Sequence, residues 1–273
     1  MPMQGDRVGR RSAIVRATDG TAIACEDAVL EELPLSVVIN GRSYAVMMVT
    51  PCHLEDFLFG FLFTEGLIQD TTDVLAYEVV ETANGYAIYV QLSGRASALA
   101  EGRSRATIGG SGCGLCGVPR FDGLISSRGP IGRRDRVPAD RVLAGLELMK
   151  AEQWLNQETG TAHAAIVIGA EGSVVREDIG RHNAVDKAAG CVLRCSWHLE
   201  RLTLLGVSSR LTFEIVQKAL RLRIPVVAAI SGVSSMAIAV AERFGLTVVG
   251  YARDGRMTVY THDESLILDL KTV

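Results

Sequence analysis

The chain has 273 residues, 48% of them hydrophobic and 22% charged, with 28 Gly and 7 Pro, which is the composition of a folded globular protein and excludes a disordered one. A net charge of −3 supplies no global basic field, so neither nucleic acid nor a membrane surface is an expected partner. Of 28 cationic side chains four are Lys, leaving 24 Arg; Arg suits bidentate phosphate binding, although codon usage explains the skew equally well.

Residues 1–16 are charged and lack the apolar core of a signal peptide, so export is not indicated. Six Cys, at 25, 52, 113, 116, 191 and 195, are too sparse for a disulfide-stapled domain, and a reduced, cytoplasmic protein is expected. Strand-like segments 35–39 and 43–49 flank Asn40-Gly41, a type I′ hairpin signal, and 74–80 and 86–92 flank Ala83-Asn84-Gly85. Between the hairpins, Thr50-Pro51 opens a helix that Gly66 closes. Its Phe57, Leu58, Phe59, Phe61, Leu62 and Phe63 leave few solvent-facing positions, which places it between two layers or at a subunit contact. Over 93–138 no period of 2 or 3.6 is sustained, as in long functional or disordered loops.

After Pro138 the pattern predicts a helix over 139–156, a strand over 164–168, a turn at 169–172 and a strand over 173–177. Helices over 183–195, 212–222 and 234–244 then alternate with strands over 202–207, 226–230, 246–249 and 257–260. The uncharged run 224–241 contains Pro225, Gly232 and three serines and reads as strand, turn and helix rather than a membrane span. The organisation predicted is a β-rich α+β region over 1–137 ending in a Gly-rich loop, then an α/β region over 138–273. Such alternation implies a mostly parallel sheet covered on both faces, with ligands beyond the carboxyl ends of its strands. Three loops leave those ends: Ser208-Ser209-Arg210, Ser231-Gly232-Val233 and the segment from Tyr251 to Arg256.

The run Gly109-Gly110-Ser111-Gly112-Cys113-Gly114-Leu115-Cys116-Gly117 sets two thiols three residues apart among five glycines. Thiolate is the reactive form of Cys, and glycine flanks let a loop present sulfur to a large partner. A single CxxC suits a redox pair, half a zinc site or a sulfur carrier. Zinc wants four ligands and here would need His163 or His182 and a further group; a thioredoxin-like pair wants a strand before it and a helix after it. The alternative is small residues filling a tight turn.

A second cluster, Glu177-Asp178-Ile179-Gly180-Arg181-His182-Asn183-Ala184-Val185-Asp186-Lys187, spans a strand end and a helix start. Asn183 is positioned to cap that helix, whose first N–H groups make an anion site beside Arg181 and His182; a capped, salt-bridged surface helix is the plain alternative. Arg210, with Glu214 and Lys218 as an i, i+4 surface pair, repeats the arrangement. In Tyr251, Ala252, Arg253, Asp254, Gly255 and Arg256, two guanidinium groups and an aromatic ring suit phosphates and a stacked guanine or pterin, or form a solvated hairpin turn. Cys191 and Cys195, one helical turn apart, read as small buried core residues in preference to metal ligands. His163, before a central strand, reads as a satisfied core histidine. His53, His198 and His262 suit surface roles.

Taken together these blocks, with Thr64-Glu65-Gly66-Leu67-Ile68 and Thr161-Ala162-His163-Ala164-Ala165, resemble the formate dehydrogenase accessory sulfurtransferase family, called FdhD or NarQ, from about Glu31 to His262. Leu67 replaces the usual Ile, and 95–106 aligns least. The resemblance implies a protein that accepts sulfur from a cysteine desulfurase as a cysteine persulfide and passes it to molybdenum bis(molybdopterin guanine dinucleotide), bound as substrate on behalf of formate dehydrogenase. Cys113 would hold the persulfide, Cys116 would assist or relay, and Tyr251 to Arg256 would contact the guanine dinucleotide. It also implies a homodimer and, over 138–273, a three-layer α/β/α fold of cytidine-deaminase type with a mixed sheet. The physical requirements agree: thiol exchange needs an accessible nucleophilic sulfur, and a polyanion in a net-negative chain needs converging cations such as Arg181, Arg210, Arg253 and Arg256.

A zinc hydrolase of deaminase type competes with that reading, but its signature is H-x-E followed by P-C-x-x-C. Here the CxxC precedes both candidate histidines, Gly112 precedes Cys113, and Ala164-Ala165 follow His163; no tightly bound metal is expected. A non-catalytic carrier of the molybdenum cofactor is the other alternative, and it would survive loss of Cys113.

Overall fold

A computed structural model of the chain describes residues 8–102, 108–109, 129–132 and 135–268. The glycine loop's Cys113 and Cys116 lie outside the described residues.

The N-terminal region opens with a hairpin, β1 (Val8–Thr18) and β2 (Thr21–Leu30), turned at Asp19-Gly20 with positive φ at both. The alternation there is too irregular for either strand to be read from sequence. The hairpin of β3 (Leu33–Ile39) and β4 (Arg42–Val49) turns at Asn40-Gly41, also both left-handed, as type I′ requires. Helix α1 (Leu54–Thr64) follows, then β5 (Val74–Thr82), β6 (Gly85–Leu92), a helix α2 (Gly94–Gly102) in the segment read as aperiodic, and β7 (Ile108–Gly109). These strands form a five-stranded sheet in the order β5-β6-β3-β4-β7.

The remaining elements are β8 (Val137–Pro138), α3 (Ala139–Ala151), α4 (Trp154–Thr159), β9 (His163–Gly169), β10 (Gly172–Asp178), α5 (Arg181–Arg194), β11 (Leu202–Val207), α6 (Phe213–Leu222), β12 (Val226–Ala229), α7 (Ser235–Phe244), β13 (Thr247–Arg253), β14 (Arg256–Thr261) and β15 (Leu266–Ile267). The helix expected over 139–156 is two helices, because Glu177 reaches across and its carboxylate accepts the N–H groups of Leu155 and Asn156 at 2.8 and 2.9 Å, starting a new helix there. The six-stranded sheet runs β10-β9-β11-β12-β13-β14. It is mixed rather than mostly parallel: β11, β12 and β13 are parallel, while tight hairpins add β9–β10 and β13–β14 antiparallel at the flanks.

Alternate residues of these strands feed two cores. Ala164, Ile166, Leu204, Val226, Ala228 and Val249 join α3 on one face, while Ala165, Val167, Leu205, Val207, Val227 and Val248 join α5, α6 and α7 on the other. That is the period of 2 expected of strands covered on both faces, and it gives three layers. The second core continues through α1 into Leu35, Val37 and Ile39 of the N-terminal sheet. The run 224–241 is strand, turn and helix as read, and no described helix is long and apolar enough to cross a membrane.

Helix α1 lies between the five-stranded sheet and α5. Phe57 stacks on Phe61 at 5.6 Å, Tyr44 meets Phe61 edge-on, and Tyr77 meets Phe59 edge-on at 5.3 Å. Its apolar circumference is therefore consumed inside the chain and calls for no subunit contact. Thr50 does not cap it; His53, at φ 51°, is its N-cap residue and makes no side-chain cap. Against α5 the backbones touch: a Cβ on Gly60 would sit 1.7 Å from the Asp186 carbonyl oxygen, and one on Gly190 would sit 1.7 Å from that of Asp56. Neither position has a flexible side chain that can yield. Gly60→Ala is expected to destabilise the chain by about 3 kcal/mol or more, beyond ordinary overpacking, whereas Gly94→Ala, with nothing within 4 Å of the added methyl, stays near neutral. Urea unfolding of the two variants checks this, and equal midpoints would mean that the helices separate at no cost.

Candidate functional site

In the six-stranded sheet the carboxyl ends of β10, β11, β12 and β13 and the amino end of β9 share one edge, because β9 is antiparallel to both β10 and β11. That edge carries His163, Asp178 to His182, Ser208 to Thr212, Ser231 to Val233 and Tyr251 to Arg256. The three loops read from sequence as leaving the strand ends do leave them together.

Asp178, fully buried at the end of β10, is the knot of the first loop. Its carboxylate accepts the N–H groups of Gly180 at 2.8 Å and Thr50 at 3.0 Å and the side-chain amide of Asn183 at 2.9 Å, and it pairs with the Lys187 ammonium at 2.6 Å. Lys187 donates as well to the Thr50 carbonyl at 2.8 Å, and Ile179 N–H donates to Thr50 Oγ1 at 3.1 Å. Asn183 is thus not the cap of α5; the N-cap residue is Gly180, which contributes no side chain, while Asn183 bonds Asp178 and the Met48 carbonyl. Nor is this a surface helix. Asp186, one residue before Lys187, points the other way, taking two bonds from Lys218 at 2.8 and 2.9 Å and one from Thr64 Oγ1 at 2.6 Å. Lys218 is buried and belongs to that cluster, not to an exposed pair with Glu214.

Arg181 and His182 occupy the first turn of α5, facing this edge. Arg181 Nε and His182 Nε2 are buried and have no hydrogen-bond partner, as is Thr212 Oγ1, in the loop after β11, a residue that carried no signal in the sequence. Buried polar atoms are paired in the great majority of cases, so three such atoms at one sheet edge, two in the first turn of α5 and one at the start of α6, point to a bound group. Burial, then the Lys218 ammonium, Arg181 and His163, push the His182 imidazole down to about 3. Burial and Arg181 also lower His163, with Asp178 opposing them. Both rings are neutral near pH 7.

The next loops are zipped to one another. Ser208 N–H donates to the Ala164 carbonyl at 3.0 Å and its hydroxyl accepts from Ala164 N–H at 2.9 Å; Leu211 N–H donates to Gly232 O at 2.9 Å, and Ser234 N–H to Leu211 O at 3.0 Å. Tyr251 N–H donates to Ser231 O at 3.0 Å. Tyr251 itself sits at φ 51°, where the β13–β14 register shifts, and this bulge re-aims its ring over Gly232. A Cβ on Gly232 would meet the Tyr251 hydroxyl at 2.8 Å, so only glycine lets the ring lie there. The segment Tyr251 to Arg256 is a hairpin, one of the two readings of the sequence, turned at Asp254-Gly255, both left-handed, with Ala252 buried beneath it. Tyr251 is 49% exposed, and Arg210, Arg253 and Arg256 are exposed. Arg253 pairs directly with Arg256 across the turn, an arrangement of like charges that an anion relieves.

A model of the FdhD/NarQ family matches residues 30–267. The sulfur carrier protein FdhD of Bordetella petrii is 38% identical over 261 residues, covering 94% of each chain, and that of Cupriavidus necator is 35% identical, covering 93% of this chain and 88% of its own. In fold, the crystal structure of a putative formate dehydrogenase accessory protein from Desulfotalea psychrophila superposes with a TM-score of 0.72 at 24% identity, covering 95% of this chain and 99% of that one.

The neutral His182 makes stability depend on acid. Folded, it takes a proton only near pH 3; unfolded, it does so near pH ~6.5. Its contribution is therefore complete above the unfolded value and is lost as pH falls toward the folded one, at up to about 1.4 kcal/mol per pH unit for a single proton. His182→Gln is expected to lose less stability than the parent between about pH 7 and about pH 5 in urea unfolding. Identical losses would show that the folded imidazole is charged.

Proposed function

Because this chain belongs to the FdhD/NarQ family, we propose that it is a sulfur carrier for formate dehydrogenase, taking sulfur from a cysteine desulfurase on Cys113 and delivering it to molybdenum bis(molybdopterin guanine dinucleotide). In the receiving step the Cys113 thiolate attacks the terminal sulfur of the donor's persulfide, a new S–S bond forms on Cys113, and the donor cysteine leaves as thiolate. Cys116 assists or relays that sulfur. A pair of these chains acts together as a homodimer.

The observation that supports the reading of the cargo is one sheet edge that carries Arg181, Arg210, Arg253 and Arg256, the partnerless buried atoms of Arg181, His182 and Thr212, and the exposed Tyr251 ring. Guanidinium groups suit the phosphates of a dinucleotide, charge-assisted and bidentate, and the Tyr251 ring suits its guanine. Arg181 and His182, at the uncapped start of α5, offer N–H groups to an anion.

Two outcomes test the proposal. Incubation with a desulfurase and cysteine should add one sulfur mass to Cys113, reversible by reductant, and Cys113→Ala should leave formate dehydrogenase folded and molybdenum-loaded but inactive; full activity with Cys113→Ala would favour a carrier that only holds the cofactor. Guanosine diphosphate, as a surrogate for the cargo's nucleotide end, should bind about 1.5 to 3 kcal/mol more weakly to Arg256→Ala. Unchanged titration calorimetry for both Arg256→Ala and Arg253→Ala would remove the hairpin from the site.

A further inference from the structure

Away from this edge, the last turn of α5 holds two thiols that the sulfur-carrier reading leaves unused. Cys191 is buried, whereas Cys195, expected from sequence to be buried too, is exposed as the helix's C-cap residue. The Cys195 N–H donates to the Cys191 carbonyl at 2.9 Å, which sets the two residues one above the other at the helix end. Arg176 Nη2 donates to Cys191 Sγ at 2.9 Å while its Nε holds Asp56 of α1 at 2.9 Å, and Arg194, between the two cysteines in sequence, holds the other oxygen of Asp56 at 2.6 Å and also Glu55. An accessible sulfur thus lies in front of an inaccessible one, with a guanidinium donating to the latter.

We propose that Cys191 and Cys195 are a second, oxidisable dithiol that closes to an intrachain disulfide by exchange with a low-molecular-weight disulfide. The Cys195 thiolate attacks one sulfur of the reagent, forming a mixed disulfide and releasing one thiolate. The Cys191 thiolate then attacks Cys195 Sγ, forming the intrachain bond and releasing the second thiolate; two cysteines are oxidised and one disulfide is reduced to two thiols. The order follows from the surroundings. Cys195 is exposed and Cys191 buried, and burial pushes the Cys191 thiol up to about 11, so Cys195 reacts first, and the Arg176 guanidinium at 2.9 Å then favours the Cys191 thiolate. Residues at i and i+4 keep their Cβ atoms about 5 to 6 Å apart, more than the ~3.5 to 4.5 Å of a disulfide. Closure therefore unwinds the end of α5 and draws Arg194 from Asp56.

Trypsin supplies the readout, because cleavage after Lys187, Arg194 and Arg201 puts the cysteines on peptides 188–194 and 195–201. After treatment of the full chain with oxidised glutathione and blocking of remaining thiols, mass spectrometry should find these two peptides joined and free of glutathione, and reductant should part them. In Cys191→Ala the same treatment should leave glutathione on peptide 195–201. Separate peptides in the parent chain, whether unmodified or carrying glutathione on Cys195, would overturn the proposal. A Cys113→Ala background should give the same joined pair, which makes the outcome independent of the sulfur-carrier reading.

Discussion

The contact between Gly60 and Gly190 is the constraint on which the rest of the structure depends. Two helices whose backbones meet at the distance of a missing methyl leave no room for relative sliding, so α1 fixes where α5 lies and therefore where its first turn opens. On its far side α1 is packed by the aromatic and aliphatic side chains of the N-terminal sheet. Among the described residues before position 138, Thr50 and the Met48 carbonyl bond the loop and helix start at the sheet edge, and together with α1 they set the position of Arg181 and His182. Small residues at a close crossing are used here as they are between membrane helices, to trade side-chain burial for backbone proximity.

Around this crossing the buried charges act as register pins. Adjacent residues Asp186 and Lys187 leave α5 in opposite directions, one to Lys218 of α6 and the other to Asp178 of β10. Burial raises Asp186 against the pull of Lys218, while for Lys187 the burial penalty is outweighed by Asp178, which keeps the ammonium charged. Buried pairs of this sort contribute little net stability compared with well-packed apolar residues, but leaving one partner alone costs about 3 to 5 kcal/mol. Their effect is to make any other seating of α5 expensive. Lys218 also helps hold His182 neutral, so the same pin that orients α6 sets the charge state at the sheet edge.

Much of this was legible in the sequence wherever the signal is local. Asn40-Gly41 specifies its own turn through two left-handed residues, and the alternating units after Pro138 gave strand ends that the structure brings to one edge. Signals that depend on distant partners were not legible. Nothing in the run Glu177 to Lys187 says that Asp178 will be needed by Thr50, more than a hundred residues earlier, so Asn183 reads as a cap when it is a bridge. Lys218 reads as half of a surface pair because Glu214 is its sequence neighbour, and Asp186 is not. Residues 139–156 read as one helix because the break is imposed by Glu177 from another strand. Gly232 lay in a loop already singled out, but its reason, the ring of Tyr251, exists only after β12 and β13 pair.

The positive charge of the chain divides accordingly. Both lysines on α5 and α6 are buried and committed to carboxylates, and the neutral histidines add nothing near pH 7. Among the described residues Arg210, Arg253 and Arg256 form no ion pair, and all three are exposed. In the proposed role these arginines attract a polyanion from solution, over a range that salt shortens to about 8 Å at physiological ionic strength. Arg181 Nε, His182 Nε2 and Thr212 Oγ1 are buried; they work only at hydrogen-bond distance, where the low local dielectric strengthens each bond. Capture by exposed charge and discrimination by buried uncharged or partly buried donors are then separate tasks performed by separate residues. In the proposed role the chain's net charge of −3 draws no polyanion by itself, so binding rests on where these arginines stand and not on how many the chain has.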